Sequence, residues 1–452
     1  MSDTPNYDTL LNAPTKSMRP SPTFAVAAAA KARKDKGDVV YDFSVGQPAE
    51  ATPEYVRTAL KKMLDDDKLW KLMSVYSPVP GLPQLKKAVV EKFTDENAID
   101  YNFDKEKNPF DVMITNGGKQ AIANAFAVTI QSGDQVLMAE PSWVSYPDMV
   151  ERHGGESIGI RTNKEFKFTA EALKATLAEA PHAKWLVITS PSNPTGGTYT
   201  KQELFDISEV VLAENKKRQT KGRPPLMVLS DDIYEHMVYD DAYLNKPNDP
   251  AAISNNIIMA NPEMKPYTVI VNGVAKAFAM TGHRVGYAAG PKKIIDAMAN
   301  YQGLETSGVS AMEQLAAMAA LSREHKAARD AWFSAQKASY LKRRDLVAQL
   351  VNNGDSTMSF APTPGAFYAM IECTQLADKT GGCKKLADKM INQKGVALVA
   401  GDDFYITPDE GKIYLRMSYA TDEATIREGI VAMQALEKEI LPDGMQRVAA
   451  RS

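Results

Sequence analysis

Lys276 and Arg284 stand close together within residues 271–287, which read VNGVAKAFAMTGHRVGY. An isolated lysine is ordinarily a solvated surface group, because ammonium ions are seldom buried. Lys276 instead has Val274, Ala275, Ala277 and Phe278 as neighbours. Val269, Ile270 and Val271 predict a buried strand, Asn272 and Gly273 its exit turn, and residues 285–289 the next apolar strand. Lys276 then falls in a short connection beside the core. A desolvated lysine holds its proton less tightly and becomes a nucleophilic amine able to form Schiff bases with aldehydes. Arg284 would supply a planar guanidinium of the kind that grips phosphate.

The run NGVAKAFAMTGHRVGYAAGP at residues 272–291 resembles the lysine motif of the class I, fold-type-I aminotransferases that depend on pyridoxal 5′-phosphate (PLP). The subgroup it is most similar to is that of the bacterial I-β aspartate/prephenate aminotransferases. The resemblance extends from Arg19 to the final helix, with its motifs in family order. It implies an α/β fold: a mostly parallel seven-stranded sheet flanked by helices, plus a smaller α+β domain made from both chain ends. The expected boundaries are 1–50 for the N-terminal arm and part of the small domain, 51–317 for the large PLP-binding domain, and 318–452 for the small domain. It also implies that Lys276 carries PLP as an imine and acts as general acid and base in ping-pong half-reactions.

The elements that must position these groups can be read in chain order. From Phe110 onward the pattern repeats strand, turn and helix, the signature of a mostly parallel sheet with helices on its faces. Residues 112–115 are an apolar run, Gly117 and Gly118 form a turn, and Ile122, Phe126 and Ile130 recur at helical spacing. A glycine turn opening a helix offers free N–H groups and a positive dipole end to an anion. Lys119 follows in the first helical turn, where the dipole disfavours a cation. Residues 226–231 are an apolar strand ending in Asp231, and ligands of open α/β sheets bind beyond the carboxyl ends of the strands. Arg416 sits inside another apolar stretch and is costly to bury without an anion.

The resemblance gives these residues roles. Gly117 and Gly118 would cradle the cofactor phosphate with Arg284, and Tyr76 would reach the phosphate of a partner subunit in a homodimer. Trp143 would stack on the pyridine ring, Asn193 and Tyr234 would donate to its phenolic oxygen, and Asp231 would pair with its ring nitrogen. Gly46 and Arg416 would hold the substrate α-carboxylate, and Lys119 a second carboxylate. Read without the family, Gly46 is a turn glycine, Tyr76 and Trp143 are packing residues, and Lys119 is a solvated helix residue. Two positions depart from the pattern: His283 replaces a common tryptophan, and Gly273 replaces a common serine.

The remaining features narrow the function. The chain has 452 residues and a formal net charge of −3 with mixed signs, so it carries no electrostatic footprint for nucleic acid. No apolar run suits a bilayer span, and the polar N-terminus is unlike a targeting signal, which together with two cysteines, Cys373 and Cys383, gives the expectation of a reducing, cytoplasmic setting and no metal site. Residues 214–225 and 241–267 read as surface insertions. Long helices are expected at 312–321 and 324–350, a strand at 396–399, and a closing helix at 422–437. The expected substrates are aspartate and glutamate with their 2-oxo acids. One alternative is a prephenate, aromatic or kynurenine-type substrate, on which Arg19 bears; another is a non-catalytic PLP- or amino-acid-binding module.

Overall fold

The computed structural model of the chain describes residues 7–12, 15–16, 20–101, 108–239, 256–354, 356–407 and 411–442. Its strands are β1 (Tyr41–Asp42), β2 (Phe110–Thr115), β3 (Gln135–Glu140), β4 (Glu156–Arg161), β5 (Ala183–Thr189), β6 (Met227–Asp231), β7 (Thr268–Gly273), β8 (Gly286–Pro291), β9 (Tyr368–Glu372), β10 (Val396–Ala397), β11 (Val399–Ala400) and β12 (Tyr414–Ser418). Seven of them form one sheet in the order β2-β8-β7-β6-β5-β3-β4. All neighbours are parallel except β8, which runs antiparallel to both β2 and β7. The expected α/β sheet is therefore present.

Alternation along each strand builds two cores, one per face of the sheet. In β5, Leu186 and Ile188 join one apolar cluster while Trp185 and Val187 join the other. Helices cover both faces, among them Pro83–Asn97, Gly118–Ala127, Lys201–Thr220 and Lys292–Glu305. The functional ends of the strands therefore project from a rigid floor.

A separate apolar cluster gathers Tyr340, Tyr368, Met417 and Ile430, and Phe43 from the N-terminal side packs into it. Around it, β9, β12 and β11 form an antiparallel sheet, and β1 pairs in parallel with β10. Among the described residues no helix is long and apolar enough to cross a membrane.

Several local expectations change in three dimensions. Asn272 and Gly273 are not an exit turn but the last residues of β7, paired with Tyr287 and Gly286. The strand tolerates them for two reasons. Asn272 is satisfied internally, its amide donating to Glu235 Oε1 at 2.6 Å and its Oδ1 accepting from the Gly273 N–H at 2.7 Å. A Cβ on Gly273 would lie 2.7 Å from the Val285 carbonyl, so the close approach of β8 requires glycine. Residues 214–220 are not an insertion either, since the helix Lys201–Thr220 continues through them. Asn215 holds both backbone groups of Leu226, and Arg218 donates to the Ala183 carbonyl at 2.6 Å. Residues 241–255 lie outside the described residues, while 256–267 tuck Ile257 and Met264 into the core. The strand expected at 396–399 is split at Leu398, because β10 and β11 join different sheets.

Candidate active site

Lys276 follows β7 in a tight turn, and its Nζ donates to the Gly46 carbonyl. The same nitrogen lies 5.9 Å from the centre of the Tyr234 ring. Lys276 lines a cavity and so keeps some accessible surface, but protein closes around its ammonium. That burial, with the charges of Arg284 and Arg416, lowers its pKa to about 8 against a smaller opposing effect of Asp231. The environment therefore favours a neutral amine far more than water does.

Asp231 terminates β6, the strand beside β7. Its Oδ2 accepts from the Tyr146 hydroxyl at 2.7 Å, and its Oδ1 from the Ile233 N–H at 3.3 Å. Burial raises its pKa to about 6 even though these donors and Lys276 pull the other way. Tyr146 also meets Thr189 Oγ1 at 2.8 Å, so one hydroxyl ties the ends of β5 and β6 together. Tyr234 shares a 2.7 Å hydrogen bond with Tyr368, and burial with that neighbour pushes its pKa far up, keeping it a protonated donor.

The strand β2 feeds through Gly117 into the helix Gly118–Ala127. Gly117 has φ 79°, which disfavours side chains, and no side chain caps the first helical N–H groups. A Cβ on Gly117 would lie 2.3 Å from Arg284 Nη2. Arg284 is held in place at a φ of 55°, with Nη1 donating to the Thr281 carbonyl at 3.0 Å. Helix N-terminus and guanidinium thus face one small space, where a partial and a full positive charge together suit an anion.

Across the cavity Arg416 is almost wholly buried on β12. Its Nη1 donates to Asn193 Oδ1 at 3.1 Å, its Nη2 to the Ser44 carbonyl, and the rings of Tyr368 and Phe404 flank it at 4.9 and 5.1 Å. Its Nε is buried with no hydrogen-bond partner, and among the described residues no carboxylate pairs with it. Such a cation is suited to a carboxylate ligand. Lys119 Nζ reaches Ser145 Oγ at 3.3 Å and lies 4.9 Å from the centre of the Trp143 ring. Burial and then Arg284 lower its pKa.

Lys276, Asp231, Tyr234, Asn193, Arg284, Arg416, Lys119, Trp143, Gly46 and Gly118 all line one cavity of about 540 Å³, with Gly117 behind the Arg284 guanidinium. Tyr76 is not among them. It is 95% exposed. Arg19 lies outside the described residues. His283 does not line the cavity; its Nδ1 meets Glu313 Oε2 at 2.6 Å. Several residues around the site went unread in the sequence, among them Phe24, Tyr146 and Tyr368 in the cavity wall and Phe404 against Arg416. A Cβ on Gly46 would lie 2.1 Å from the Tyr368 hydroxyl, so the glycine is there for the tyrosine, a contact only the fold creates. None of these residues carries a signal short of the fold.

Residues 38–433 match the family described as Aminotransferase class I and II. An aspartate/prephenate aminotransferase of Cereibacter sphaeroides is 35% identical over 428 residues, covering 92% of this chain and 96% of that protein. One from Thermus thermophilus is 33% identical over 417 residues, covering 92% and 95%. Among solved structures, an aspartate aminotransferase from Thermus thermophilus with maleate superposes with a TM-score of 0.79 at 30% identity, covering 94% of this chain and 99% of that one. An aromatic aminotransferase from Pyrococcus horikoshii gives 0.74 at 30% identity, covering 91% and 99%. Agreement of this extent, over a cavity that joins a desolvated lysine to two guanidinium groups, assigns the chain to the class I and II aminotransferases, enzymes that transfer an amino group to a 2-oxo acid.

Proposed function

We propose that the chain transfers the amino group of aspartate or glutamate to a 2-oxo acid such as 2-oxoglutarate, with PLP held in the cavity. The observation that carries this reading is the buried, unpartnered Nε of Arg416 on one side of Lys276 and the glycine-lined space beside Arg284 on the other. One accepts the substrate α-carboxylate, the other the cofactor phosphate. Gly117, Gly118 and Arg284 hold the phosphate, Asp231 the ring nitrogen, Asn193 and Tyr234 the phenolic oxygen, and Trp143 a face of the ring. PLP, when bound, supplies an aldehyde for the substrate amine and a ring that withdraws electrons from the substrate Cα.

The protein's own contribution is positional and acid–base. Lys276 Nζ, with its pKa near the working pH, takes the proton leaving the substrate Cα and returns one on the far side of the half-reaction. Tyr234, fixed by Tyr368, stays protonated and donates throughout. Gly46 and Arg416 orient the α-carboxylate, and the ammonium of Lys119 stands where a second carboxylate would reach it. The small domain at both chain ends, carrying Arg416, closes toward the large one over substrate and excludes water.

The working unit in this reading is a homodimer. Tyr76 is 95% exposed beside Val75 at 56%, and Leu304 is 90% exposed nearby, where Gly308 packs on the Ser77 carbonyl. An apolar surface of this kind suits a partner subunit, whose phosphate Tyr76 would then contact. Free, buried Cys373 and Cys383 fit a cytoplasmic setting. The test is a set of half-reactions of the PLP-loaded protein, with borohydride reduction and peptide mapping of the modified lysine. Aspartate and glutamate should react far faster than alanine or leucine, with the adduct on Lys276. Faster reaction with the aliphatic monocarboxylic acids, or an adduct on another lysine, would reject the proposal.

A further inference from the structure

Glu140 has no part in the scheme above. It ends β3 with 3% of its surface exposed, a costly place for a carboxylate unless hydrogen bonds replace the lost water. Gly159 on β4 makes room for it, since a Cβ there would lie 2.4 Å from Glu140 Oε2. The hydrogen bonds come from a distant segment. Glu140 Oε1 accepts from the Thr407 N–H at 2.5 Å, and the Thr407 hydroxyl lies 2.9 Å from both carboxylate oxygens. Thr407 belongs to a strap, residues 401–407, which stands in the chain between β11 and β12, the strand that carries Arg416. Two more contacts seat this strap on the large domain. The Ser142 N–H donates to the Phe404 carbonyl at 2.9 Å, and Ile406 packs against the apolar cluster of Met138 and Trp185.

Phe404 is buried in the strap, and the centre of its ring lies 5.1 Å from the Arg416 guanidinium. An aromatic ring attracts a buried cation and restricts its swing. Hydrogen bonds to Asn193 and the Ser44 carbonyl hold the two ends of the fork, and Phe404 bounds its plane. We propose that Glu140 is a positioning residue for the substrate α-carboxylate: it holds Thr407, Thr407 fixes the strap, and the strap keeps Phe404 against Arg416. The carboxylate of Glu140 touches no substrate. The inference rests on the reading of Arg416 as the grip on that carboxylate, and it anchors the grip to the end of β3.

Calorimetric titration of the PLP-loaded enzyme with succinate, a dicarboxylic acid with no amino group to react, tests it in wild type, Glu140→Gln and Thr407→Val. Glutamine keeps the size of Glu140 and gives up its charge, and valine removes only the Thr407 hydroxyl. Succinate should bind about five- to tenfold more weakly in Glu140→Gln, and by a smaller factor in Thr407→Val. The KM for aspartate should rise with it while kcat stays within about twofold, the mark of a lost grip on the ground state. Trp143 lies three residues beyond Glu140, so PLP affinity by equilibrium dialysis is the control and should stay within about twofold of wild type. Thr407 is exposed, so its variant should fold as wild type does even where Glu140→Gln does not. Succinate affinity within about twofold of wild type in every variant that folds overturns the proposal. So does a loss of PLP affinity as large as the loss for succinate, which would make Glu140 a support of its own loop only. A wild type that binds PLP and not succinate overturns both this inference and the carboxylate reading of Arg416, and the wild-type titration alone tells that case from the other two.

Discussion

Tyr146→Phe removes one oxygen and leaves a buried ring in place, so it isolates what the hydroxyl does for Asp231. A hydrogen bond to a charged acceptor contributes about 1.5–3 kcal/mol. At 1.36 kcal/mol per tenfold change in proton affinity, losing it would move Asp231 from about 6 to about 7 or 8. Asp231 is charged above its pKa and neutral below, and only the carboxylate can pair with a protonated ring nitrogen. PLP uptake by the apo-protein should therefore weaken as pH falls through about 6 in wild type, and through about 7 or 8 in the variant. At pH 6.5 the ionised fraction of Asp231 then drops about 3- to 25-fold, with PLP affinity following it. Absorbance titrations with PLP between pH 5 and 9 measure the shift. The phosphate ionises near pH 6 as well, but it does so for both proteins and cancels in the comparison. An acid limb that moves by less than about 0.3 pH would show that the 2.7 Å contact does not hold the charge, and the reasoning would fail.

Two further outcomes follow from the same geometry. Gly117→Ala places a methyl group 2.3 Å from Arg284 Nη2 at a φ of 79°, so PLP should bind at least about tenfold more weakly in equilibrium dialysis; unchanged binding would remove the phosphate from this space. Asp232 is fully buried, and burial followed by Glu235 raises its pKa to about 7 from an unfolded value near 3.8. A group whose folded pKa is raised stabilises the fold below its unfolded value and loses that contribution as pH climbs to 7. Asp232→Asn should therefore flatten the decline in the apo-protein's unfolding free energy between pH 5 and pH 8, measured by denaturant titration, by on the order of 2 kcal/mol. An identical slope in the variant would contradict the assignment.

Much of this was legible in the residues because the chemistry is local. A lysine among alanines and valines, a glycine pair between an apolar run and a helical period, and an acid at the end of an apolar strand each announce themselves within a few positions. The errors arose where a local rule met a distant partner. Asn272-Gly273 has the composition of a turn, yet Glu235 satisfies the asparagine and β8 crowds the glycine into the sheet. The polar run after Glu214 looks solvated, yet Asn215 and Arg218 turn inward to satisfy carbonyl groups of neighbouring segments.

What the chain order alone determined was the class of fold, which follows from periodicity, and, through the family its motifs resemble, the identity of most groups around Lys276. What only the tertiary structure decided was how those groups are held. Tyr146 meets Asp231 across 85 positions and Tyr234 meets Tyr368 across 134, pairings that no spacing encodes. The proton affinities of Lys276 and Asp231 belong to that second category, because burial sets them first, and burial is a property of what packs around a group from everywhere else in the chain.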